Sequence, residues 1–579
     1  MAMSGKVENA TTLPALVGQH AKADPQGVIL RRKDRGIWKS VTWADVDARM
    51  NAIAAAVRAS GLRGGEVAAI LSDTNPEWAM LDLGIQAAGC VSAGLNPADG
   101  SADVGRQLAE TGARLLFVEG EAMLDKALAV RSTCPDLARI VVMDMKGLRD
   151  MAEPGCESLE AFLARTAAPG PGATLDPNAP AAIIYTAGTS GPARAVVFSH
   201  RNIQAAIAAA AAPLDQRAGD ERLAFLPMCH VIERVMGLYL SLATGTVSNY
   251  VEGVDTVPEN LEELQPTVLI APPRFWRRLH ARVTAATAGA APEQRWLVNR
   301  ALKAGLAAAQ GRASAVDRLA LAVGQRLVLE PIRRSLGLAR LRRAVFAFGS
   351  VPDAVAEWLQ GAGIETAELY GQTESGGFGF LLPTGGGNTA RLAAAGEIQL
   401  RGAHVAMGYR QDGGVTAIAT VDGWLCTGDI GQGTDGRIVP TGRLAEGREP
   451  ASLEAALRAS PFISDAVTIA TGGPTGATAG GGHAALVMVD ADTVEPWAQR
   501  QNIPFTGFAS LVRAEAVRNL IAEAVASTNR AGSGTIRAFR LIEQRYEPGD
   551  TELSPVFTLR RALIRERHRD VIEAMLREA

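Results

Sequence analysis

Short apolar runs alternate with helical patterns through the first half of the chain, and this alternation most limits the folds that the chain can adopt. The runs Val67–Leu71, Leu115–Val118 and Ile140–Met143 are short and wholly apolar, as buried strands are. A helix is predicted to begin after Asn75, because Pro76 would stand in its first turn, where a missing N–H costs no hydrogen bond. Strands that alternate with helices predict an α/β fold, with parallel sheets covered by helices on both faces.

The second half of the chain changes character twice. Residues 280–345 form a long helical pattern rich in Ala, Arg and Leu, and short strands and turns follow from about residue 395. Gly, Asp, Thr, Pro and Arg cluster at 433–449, which is typical of a linker. A length of 579 residues predicts more than one domain, and we place a boundary near residue 442. The expected division is a large domain of stacked α/β subdomains over 1–441 and a small α/β domain over 442–579.

Charge and cysteine content argue against several functional classes. The formal net charge is −3, which argues against a nucleic-acid binder that works through bulk positive charge. The five cysteines lie far apart without a CxxC pair, which favours reduced thiols over a disulfide framework or a zinc site. The first residues lack a signal-peptide pattern, and no stretch of about 20 residues is apolar enough to span a bilayer. We therefore expect a cytoplasmic location.

A loop rich in Gly, Thr and Ser follows the apolar run that ends at Tyr185. Its small residues allow backbone N–H groups to approach an anion, and its hydroxyls add donors, so the loop is suited to bind phosphate. It does not have the GxxxxGK[ST] pattern of the common nucleotide-binding loop, and an ordinary turn remains the alternative. The candidate phosphate-binding residues are Thr186, Gly188, Thr189, Ser190 and Gly191.

Four segments in a fixed order carry a family resemblance: Tyr185–His200, Leu226–Arg234, Tyr370–Ser375 and Asp422–Gly431. Together they resemble the motifs of the adenylate-forming superfamily, which includes acyl-CoA synthetases, luciferase and peptide-synthetase adenylation domains. The resemblance extends over roughly residues 25–575. It implies a large N-terminal AMP- and acyl-binding domain, a small mobile C-terminal lid domain, and a site between them.

Other segments are similar to the long-chain fatty acid–CoA ligase branch: Asp255–Leu261, Gln265–Thr267, Pro273–Trp276 and Glu552–Pro555. This resemblance implies that a fatty or other carboxylic acid, ATP and CoA react, with Mg²⁺, to give acyl-CoA, AMP and diphosphate through acyl-AMP. It also leads us to expect a long apolar tunnel near His230 and Thr373. Peripheral membrane contact and a homodimer are compatible with it.

The resemblance assigns the nucleotide-binding roles. Tyr370 would pack on adenine, with Gly371 and Gln372 beside it, Asp429 would accept the ribose hydroxyls, and Arg443 would contact the nucleotide at the domain joint. Each assignment has an alternative: core packing for the tyrosine, a helix cap or turn for the aspartate, and a solvated surface position for the arginine.

The resemblance also assigns the catalytic and metal-binding roles. Thr373 would meet the α-phosphate, and Glu374 would hold Mg²⁺ together with Thr189, because a hard cation prefers oxygen ligands. Arg194 stands where the family has its phosphate-loop lysine, and it keeps the charge with a different shape. His230 would lie at the acyl pocket, and a buried core histidine is the alternative.

Several positions depart from the family pattern. Ala187 replaces a serine of the phosphate loop, Gly442 replaces the aspartate of the joint, and the glycine loop that should follow Arg443 is missing. At the position of the family's C-terminal lysine stands Phe557 or Thr558.

Lysine is absent from the last part of the chain. The chain has seven lysines and none follows Lys303, so no lysine can fill this position, and Arg560 or Arg561 could substitute only with a shifted backbone. Two alternatives to a CoA ligase therefore stay open: a degenerate member that binds nucleotide or acyl ligands without efficient activity, and an enzyme that passes acyl-AMP to another acceptor.

Overall fold

The computed structural model describes residues 12–149, 151–165, 174–188, 192–382, 389–411, 413–434, 437–444, 449–471, 482–532, 534–546, 552–553 and 559–578. Within these ranges, no helix is both long and apolar enough to cross a bilayer.

Strands and helices alternate as the sequence predicts. The strands are β1 (Val28–Asp34), β2 (Ile37–Thr42), β3 (Val67–Leu71), β4 (Val91–Leu95), β5 (Leu115–Val118), β6 (Arg139–Val142), β7 (Cys156–Ser158), β8 (Pro180–Tyr185), β9 (Ala195–Ser199), β10 (Glu221–Ala224), β11 (Val247–Tyr250), β12 (Val268–Ala271), β13 (Arg343–Phe346), β14 (Glu365–Tyr370), β15 (Phe380–Leu382), β16 (Ala390–Leu392), β17 (Glu397–Leu400), β18 (Gly408–Gln411), β19 (Gly414–Ala417), β20 (Thr420–Val421), β21 (Trp424–Thr434), β22 (Arg437–Arg443), β23 (Ile463–Ala470), β24 (His483–Val489) and β25 (Ile536–Leu541). The α-helices are α1 (Leu13–Ala23), α2 (Trp43–Ala59), α3 (Pro76–Ala87), α4 (Ser101–Thr111), α5 (Glu121–Val130), α6 (Leu159–Ala164), α7 (His200–Leu214), α8 (Leu240–Thr244), α9 (Val257–Leu264), α10 (Pro273–Gly289), α11 (Pro292–Ala309), α12 (Ala315–Gly324), α13 (Glu330–Ser335), α14 (Asp353–Gly361), α15 (Glu449–Arg458), α16 (Ala491–Arg500), α17 (Phe508–Arg513), α18 (Glu515–Arg530), α19 (Arg561–Arg567) and α20 (Arg569–Glu578).

The largest sheet has nine strands in the order β19-β18-β9-β8-β4-β3-β5-β6-β7. Its strands β8, β4, β3, β5, β6 and β7 are parallel, which confirms the α/β class. Two predicted strands have their predicted bounds, and the third begins and ends one residue earlier than predicted, at Arg139 and Val142. The helix after β3 begins at Pro76 and is capped by the Asn75 side chain, which accepts a hydrogen bond from the Trp78 N–H at 2.9 Å.

The described residues before 444 form three further sheets. Two have four strands, β10-β11-β1-β2 and β12-β13-β14-β15, and the third places β16, β17, β21, β20 and β22 together. Strand β22 occupies residues 437–443, so the expected linker over 433–449 is wrong there. The cause is tertiary: Val439 and its neighbours hydrogen-bond to β21, and this pairing overrides the local turn composition.

The last part of the chain has its own sheet, β23-β24-β25, and its own apolar clusters, whose buried members lie between Leu453 and Met575. It is joined to the rest by specific polar contacts. Arg277 on α10 donates hydrogen bonds to the carbonyls of Arg458 and Ser464 at 2.9 and 2.8 Å. These bonds hold the terminal sheet beside the first, larger part.

A buried arginine secures the strand that leads into the candidate phosphate loop. Arg234 lies in a π-helical segment, Ile232–Tyr239, and its side chain is fully buried. Its guanidinium donates to Asp82 at 2.5 Å, to the Ser92 carbonyl of β4 at 3.0 Å and to the Ile183 carbonyl of β8 at 2.9 Å. The Asp82 carboxylate favours the charged guanidinium and raises the pKa of Arg234 against the opposing effect of burial.

Candidate active site

The candidate phosphate loop connects β8 to the antiparallel strand β9. The Thr186 hydroxyl accepts a hydrogen bond from the Arg194 N–H at 2.9 Å, and the Thr186 N–H donates to the Arg194 carbonyl at 3.0 Å. Gly188 has a φ of 65°, a left-handed conformation that favours glycine. The predicted residues Thr189, Ser190 and Gly191 lie outside the described residues.

Arg194 and Glu374 meet through a tyrosine. The Arg194 guanidinium stacks on the Tyr409 ring, 3.3 Å from its centroid, and the Tyr409 hydroxyl donates to Glu374 Oε1 at 2.8 Å. Burial and the Glu374 carboxylate raise the pKa of Tyr409, so its hydroxyl keeps its proton at neutral pH. The structure thus joins the cation of the phosphate loop to the carboxylate predicted to hold Mg²⁺.

Sequence reasoning missed Tyr409. This residue lies on β18, which pairs with β9 so that Tyr409 is opposite Val196, two residues beyond Arg194. Nothing in the local sequence marks this pairing, because the two strands are more than 200 residues apart. The turn Thr373–Ser375 packs against the same region, where the Glu374 carbonyl accepts from the Ala406 N–H at 2.9 Å. Thr373 itself is buried in that turn.

Asp429 is the centre of a second cluster. Its Oδ2 accepts hydrogen bonds from the Tyr370 hydroxyl at 2.9 Å and the Gln372 amide at 2.7 Å, and its Oδ1 is 3.1 Å from Arg443 Nε. Asp429 and Arg443 are opposite one another on the paired strands β21 and β22. Residues predicted from three separate parts of the sequence therefore meet at Asp429.

One face of Tyr370 is already packed. Its ring stacks on Phe380, with centroids 4.6 Å apart and planes inclined by 25°. Burial and the Asp429 carboxylate raise the pKa of Tyr370. The neighbouring Gly371 is required by close packing, since a Cβ there would lie 2.4 Å from the Gly377 carbonyl oxygen. The core-packing alternative therefore accounts for one side of the ring, and the other side remains a candidate nucleotide contact.

His230 is buried beside the phosphate loop. Its Nδ1 accepts from the Ile232 N–H at 3.2 Å, and its ring meets the Phe348 ring edge-on, with centroids 4.9 Å apart. Burial lowers the pKa of His230 to about 4, so the imidazole is neutral at pH 7. Phe348 has a φ of 70°, which is a strained conformation for an aromatic residue, and sequence reasoning missed it.

A cavity of about 20 Å³ lies where His230, Thr186 and Arg560 meet. This volume holds about one water molecule and not an acyl chain, so the long tunnel expected near His230 is not open at this cavity. His230 lines this cavity, and its ring packs edge-on against Phe348.

Arg560 reaches this cavity from the last part of the chain. Its Nη2 is 3.1 Å from Asp99 Oδ1, and Asp99 also accepts from Asn96 and Gln107, each at 2.8 Å. Arg560 Nε is buried and has no hydrogen-bond partner among the described residues. Arg561 instead pairs with the buried Glu454 beneath the terminal sheet. The positions Phe557 and Thr558 lie outside the described residues.

Comparisons with known proteins identify the family. The family model described as AMP-binding enzyme matches residues 17–410, about two thirds of the chain. The chain belongs to the AMP-binding enzyme family. The family match contains the phosphate loop, the 370–375 segment and Tyr409, whereas Asp429, Arg443 and Arg560 lie beyond it.

Relatives of this AMP-binding family member extend over nearly the whole chain. The long-chain-fatty-acid–CoA ligase FadD15 of Mycobacterium bovis is 30% identical over 594 residues, covering 97% of this chain and 96% of the relative. The adenylation domain of a carboxylate reductase from Mycobacterium chelonae has a similar structure, with a TM-score of 0.77, 19% identity, and coverage of 99% and 92%. A carboxylic acid reductase domain from Segniliparus rugosus, in complex with AMP and a carboxylic acid, gives a TM-score of 0.76 at 17% identity, with coverage of 99% and 95%. The two structures establish the adenylation-domain fold.

Proposed function

We propose that the protein is an AMP-forming acyl-CoA ligase, which converts a fatty acid, ATP and CoA into acyl-CoA, AMP and diphosphate through acyl-AMP. One observation carries the proposal: the short segment 370–374 connects the Asp429 cluster to the chain Glu374–Tyr409–Arg194 beside the phosphate loop. This arrangement provides a ribose acceptor at one end and a cation with a carboxylate at the other. The name of the FadD15 relative supports a fatty acid as the substrate.

Asp429 has capacity left for a ribose hydroxyl. A carboxylate has about four acceptor positions, and among the described residues Tyr370, Gln372 and Arg443 use three of them. A ribose hydroxyl would take the remaining position, or would displace the half-exposed Arg443 side chain.

The first reaction joins two anions. A carboxylate oxygen of the acid attacks the α-phosphorus of ATP, the bond from that phosphorus to the bridging oxygen breaks, and diphosphate leaves. Arg194 would lower the repulsion between the two anions, and stacking on Tyr409 would hold its guanidinium in one orientation. In the second reaction, the CoA sulfur attacks the acyl carbon, AMP leaves, and the thiol proton passes to solvent.

The residues fit a magnesium ion that is bound mainly by substrate. Among the described residues, no group of three or more His, Cys, Asp or Glu side chains could hold a metal ion. Mg²⁺ in phosphate-transfer sites needs only one or two protein carboxylates, since phosphate oxygens and waters complete its shell. Glu374 would supply that carboxylate, and Thr189 would add a hydroxyl. The ion would neutralise charge on the phosphates.

Arg560 would replace the missing C-terminal lysine. It is a cation of the last part of the chain that lines the cavity together with Thr186, and its buried Nε has no hydrogen-bond partner among the described residues. Arg561 is engaged with Glu454, which makes it a structural residue. Arg560 would have to leave Asp99 to reach the α-phosphate.

The experiment measures diphosphate release with a panel of fatty acids, followed by formation of the CoA thioester. Release of diphosphate followed by thioester formation supports the ligase. Release without thioester formation favours an enzyme that passes acyl-AMP to another acceptor. No release, with nucleotide binding retained, favours a degenerate member.

We retain three further proposals. The domain division at 1–441 and 442–579 is supported by the separate apolar clusters of the terminal sheet, although β22 extends to Arg443. We also propose a cytoplasmic location and a homodimer, which fractionation and analytical ultracentrifugation test.

A further inference from the structure

An aspartate at the edge of the nine-stranded sheet holds Arg560. Asp99 follows β4, and β4 pairs in parallel with β8, the strand that leads into the phosphate loop. Because the carboxyl ends of parallel strands meet at one edge of a sheet, Asp99 lies on the same side of the sheet as that loop. Asp99, Arg560 and Thr186 line one cavity there. The ion pair therefore connects the last part of the chain to the sheet at the phosphate loop.

The Asp99 carboxylate is buried and held by its surroundings. Its side chain is 7% exposed, and its two oxygens accept hydrogen bonds from the Asn96 and Gln107 amides, each at 2.8 Å. Lys126 on α5 secures the same loop, because its Nζ donates to the carbonyls of Pro97 and Asp99 at 2.5 and 3.0 Å. A buried carboxylate in a fixed loop is suited to hold a guanidinium at a defined place.

Two other contacts between the last part and the rest of the chain are of a different kind. Arg277 donates to backbone carbonyls, and Arg278 pairs with Asp492, where the side chains are 48% and 41% exposed. The Arg560 side chain is only 15% exposed. Exposed ion pairs contribute little to stability, whereas a buried pair requires a defined geometry. Of these three contacts, the pair with Asp99 is the one that brings a cation of the last part to the cavity.

Arg560 is held by Asp99 with donors to spare. A guanidinium has five N–H donors; Nη2 is 3.1 Å from Asp99, and the buried Nε has no hydrogen-bond partner among the described residues. If the guanidinium turned from Asp99 to a bound phosphate, Asn96 and Gln107 would still donate to the carboxylate that it leaves. The ion pair can therefore hold Arg560 and also release it without leaving a bare buried charge.

We propose that Asp99 is a positioning residue, which docks Arg560 beside the phosphate loop and thereby sets the last part of the chain in place for the first reaction. Asp99 touches no substrate and acts through Arg560. The action of Arg560 at the α-phosphate rests on the proposed function, whereas the docking rests on the contacts above. A cation that is already in place lowers the entropy cost of reaching the transition state.

The first experiment measures the docking without substrate. Hydrogen exchange of the backbone amides of residues 559–567 is followed by mass spectrometry on the full chain. Asp99→Asn keeps the shape and removes the charge, so it should raise the exchange rate there about tenfold. Asp99→Glu keeps the charge in a displaced position and should give a smaller increase, so it carries the test if Asp99→Asn does not fold. The control Asp492→Asn removes an ion pair between the two parts that does not line the cavity, and its exchange at 559–567 should equal that of wild type.

The second experiment separates the two reactions. Asp99→Asn should lower kcat for diphosphate release about tenfold, and it should form the thioester from added acyl-AMP and CoA at the wild-type rate. In the Arg560→Ala background, Asp99→Asn should slow diphosphate release further by less than about twofold, because residues that act as a unit are not additive. The control Asp492→Asn should release diphosphate at the wild-type rate.

Four results would overturn the proposal. They are unchanged exchange at 559–567 in Asp99→Asn, faster diphosphate release in that variant, an equal slowing of both reactions, and the same slowing by Asp99→Asn whether or not Arg560 is present. Because the exchange measurement needs no substrate, it is independent of the ligase assay. If wild type releases no diphosphate while exchange responds as expected, the proposed function is wrong and the docking of Arg560 by Asp99 stands.

Discussion

Replacing Arg560 with alanine tests whether the last part of the chain supplies the cation for adenylation. Its Nη2 is 3.1 Å from Asp99 at the cavity that Thr186 and His230 also line. Arg561 is a matched control, because it has the same side chain at the next position but pairs with Glu454.

The magnitude follows from what Arg560 gains and gives up. One oriented donor at a developing charge contributes about 10²–10³ in rate, or about 2.7–4 kcal/mol. Arg560 exchanges its ion pair with Asp99 for one with phosphate, so its net contribution to the rate should lie at the lower end of this range. We therefore expect the rate of diphosphate release to fall about 10²-fold in Arg560→Ala. Asp99 keeps its bonds from Asn96 and Gln107, so the exchange leaves no bare carboxylate.

The control should lose stability instead of rate. Glu454 is buried, which raises its pKa, and it retains the bond from the Thr468 N–H at 2.8 Å when Arg561 is removed. Arg561→Ala should therefore lower the free energy of unfolding by about 2 kcal/mol, less than the 3–5 kcal/mol of a fully disrupted buried pair.

The assay measures diphosphate release on one fatty acid, together with thermal unfolding, for wild type, Arg560→Ala, Arg560→Lys and Arg561→Ala. Arg560→Lys should retain activity within about tenfold of wild type, since it keeps the charge with a shorter reach. The loss in Arg560→Ala should appear in kcat, because the cation acts on the transition state. A wild-type rate in Arg560→Ala, or a rate loss in Arg561→Ala at temperatures where it is folded, would refute the reasoning.

Substitutions at three other positions test the site and the fold. Asp429→Ala should abolish the rise in melting temperature that ATP or AMP produces in wild type, because it removes the carboxylate that would accept the ribose hydroxyls. An unchanged rise would contradict the ribose assignment. Tyr409→Phe should slow diphosphate release by about tenfold, because it removes the hydrogen bond to Glu374. Tyr409→Ala should slow it further, because Arg194 also loses its stacking partner. Equal rates for the two variants would exclude a role of the Tyr409 ring in orienting Arg194. Burial lowers the pKa of His200 to about 4. Between pH 6.5 and 4 the His200 imidazole is therefore protonated in the unfolded state and neutral in the folded state. Because of this difference, the free energy of unfolding falls by about 1.4 kcal/mol for each unit by which the pH falls through this range. His200→Gln should reduce that slope in chemical denaturation, and an unchanged slope would contradict burial of a neutral imidazole.

The local sequence pattern is sufficient to predict an element that is stabilised by burial of its own residues. Strand Val67–Leu71 is apolar at every position and buried on both faces, so its bounds agree with prediction. The failure at 433–449 has the opposite cause. The residues of β22 have turn-like composition and form a strand because β21 lies beside them, which no local pattern contains.

The sequence by itself determined the candidate residues of the site. Motif resemblance predicts the segment 370–374 and Asp429 as functional residues, and the structure brings Tyr370, Gln372 and Asp429 into one cluster. It also determined that no lysine can act after Lys303, because that follows from residue identity alone.

Only the tertiary structure decided which cations face the site. Arg194 meets Glu374 through Tyr409 because β18 pairs with β9 across more than 200 residues. The sequence does not distinguish Arg560 from Arg561 as candidate cations. Packing of the last part of the chain beside the phosphate loop brings Arg560 to Asp99, whereas Arg561 pairs with Glu454. The physical reason is that contacts between distant segments depend on register and packing direction, and neither leaves a periodic mark in the local sequence.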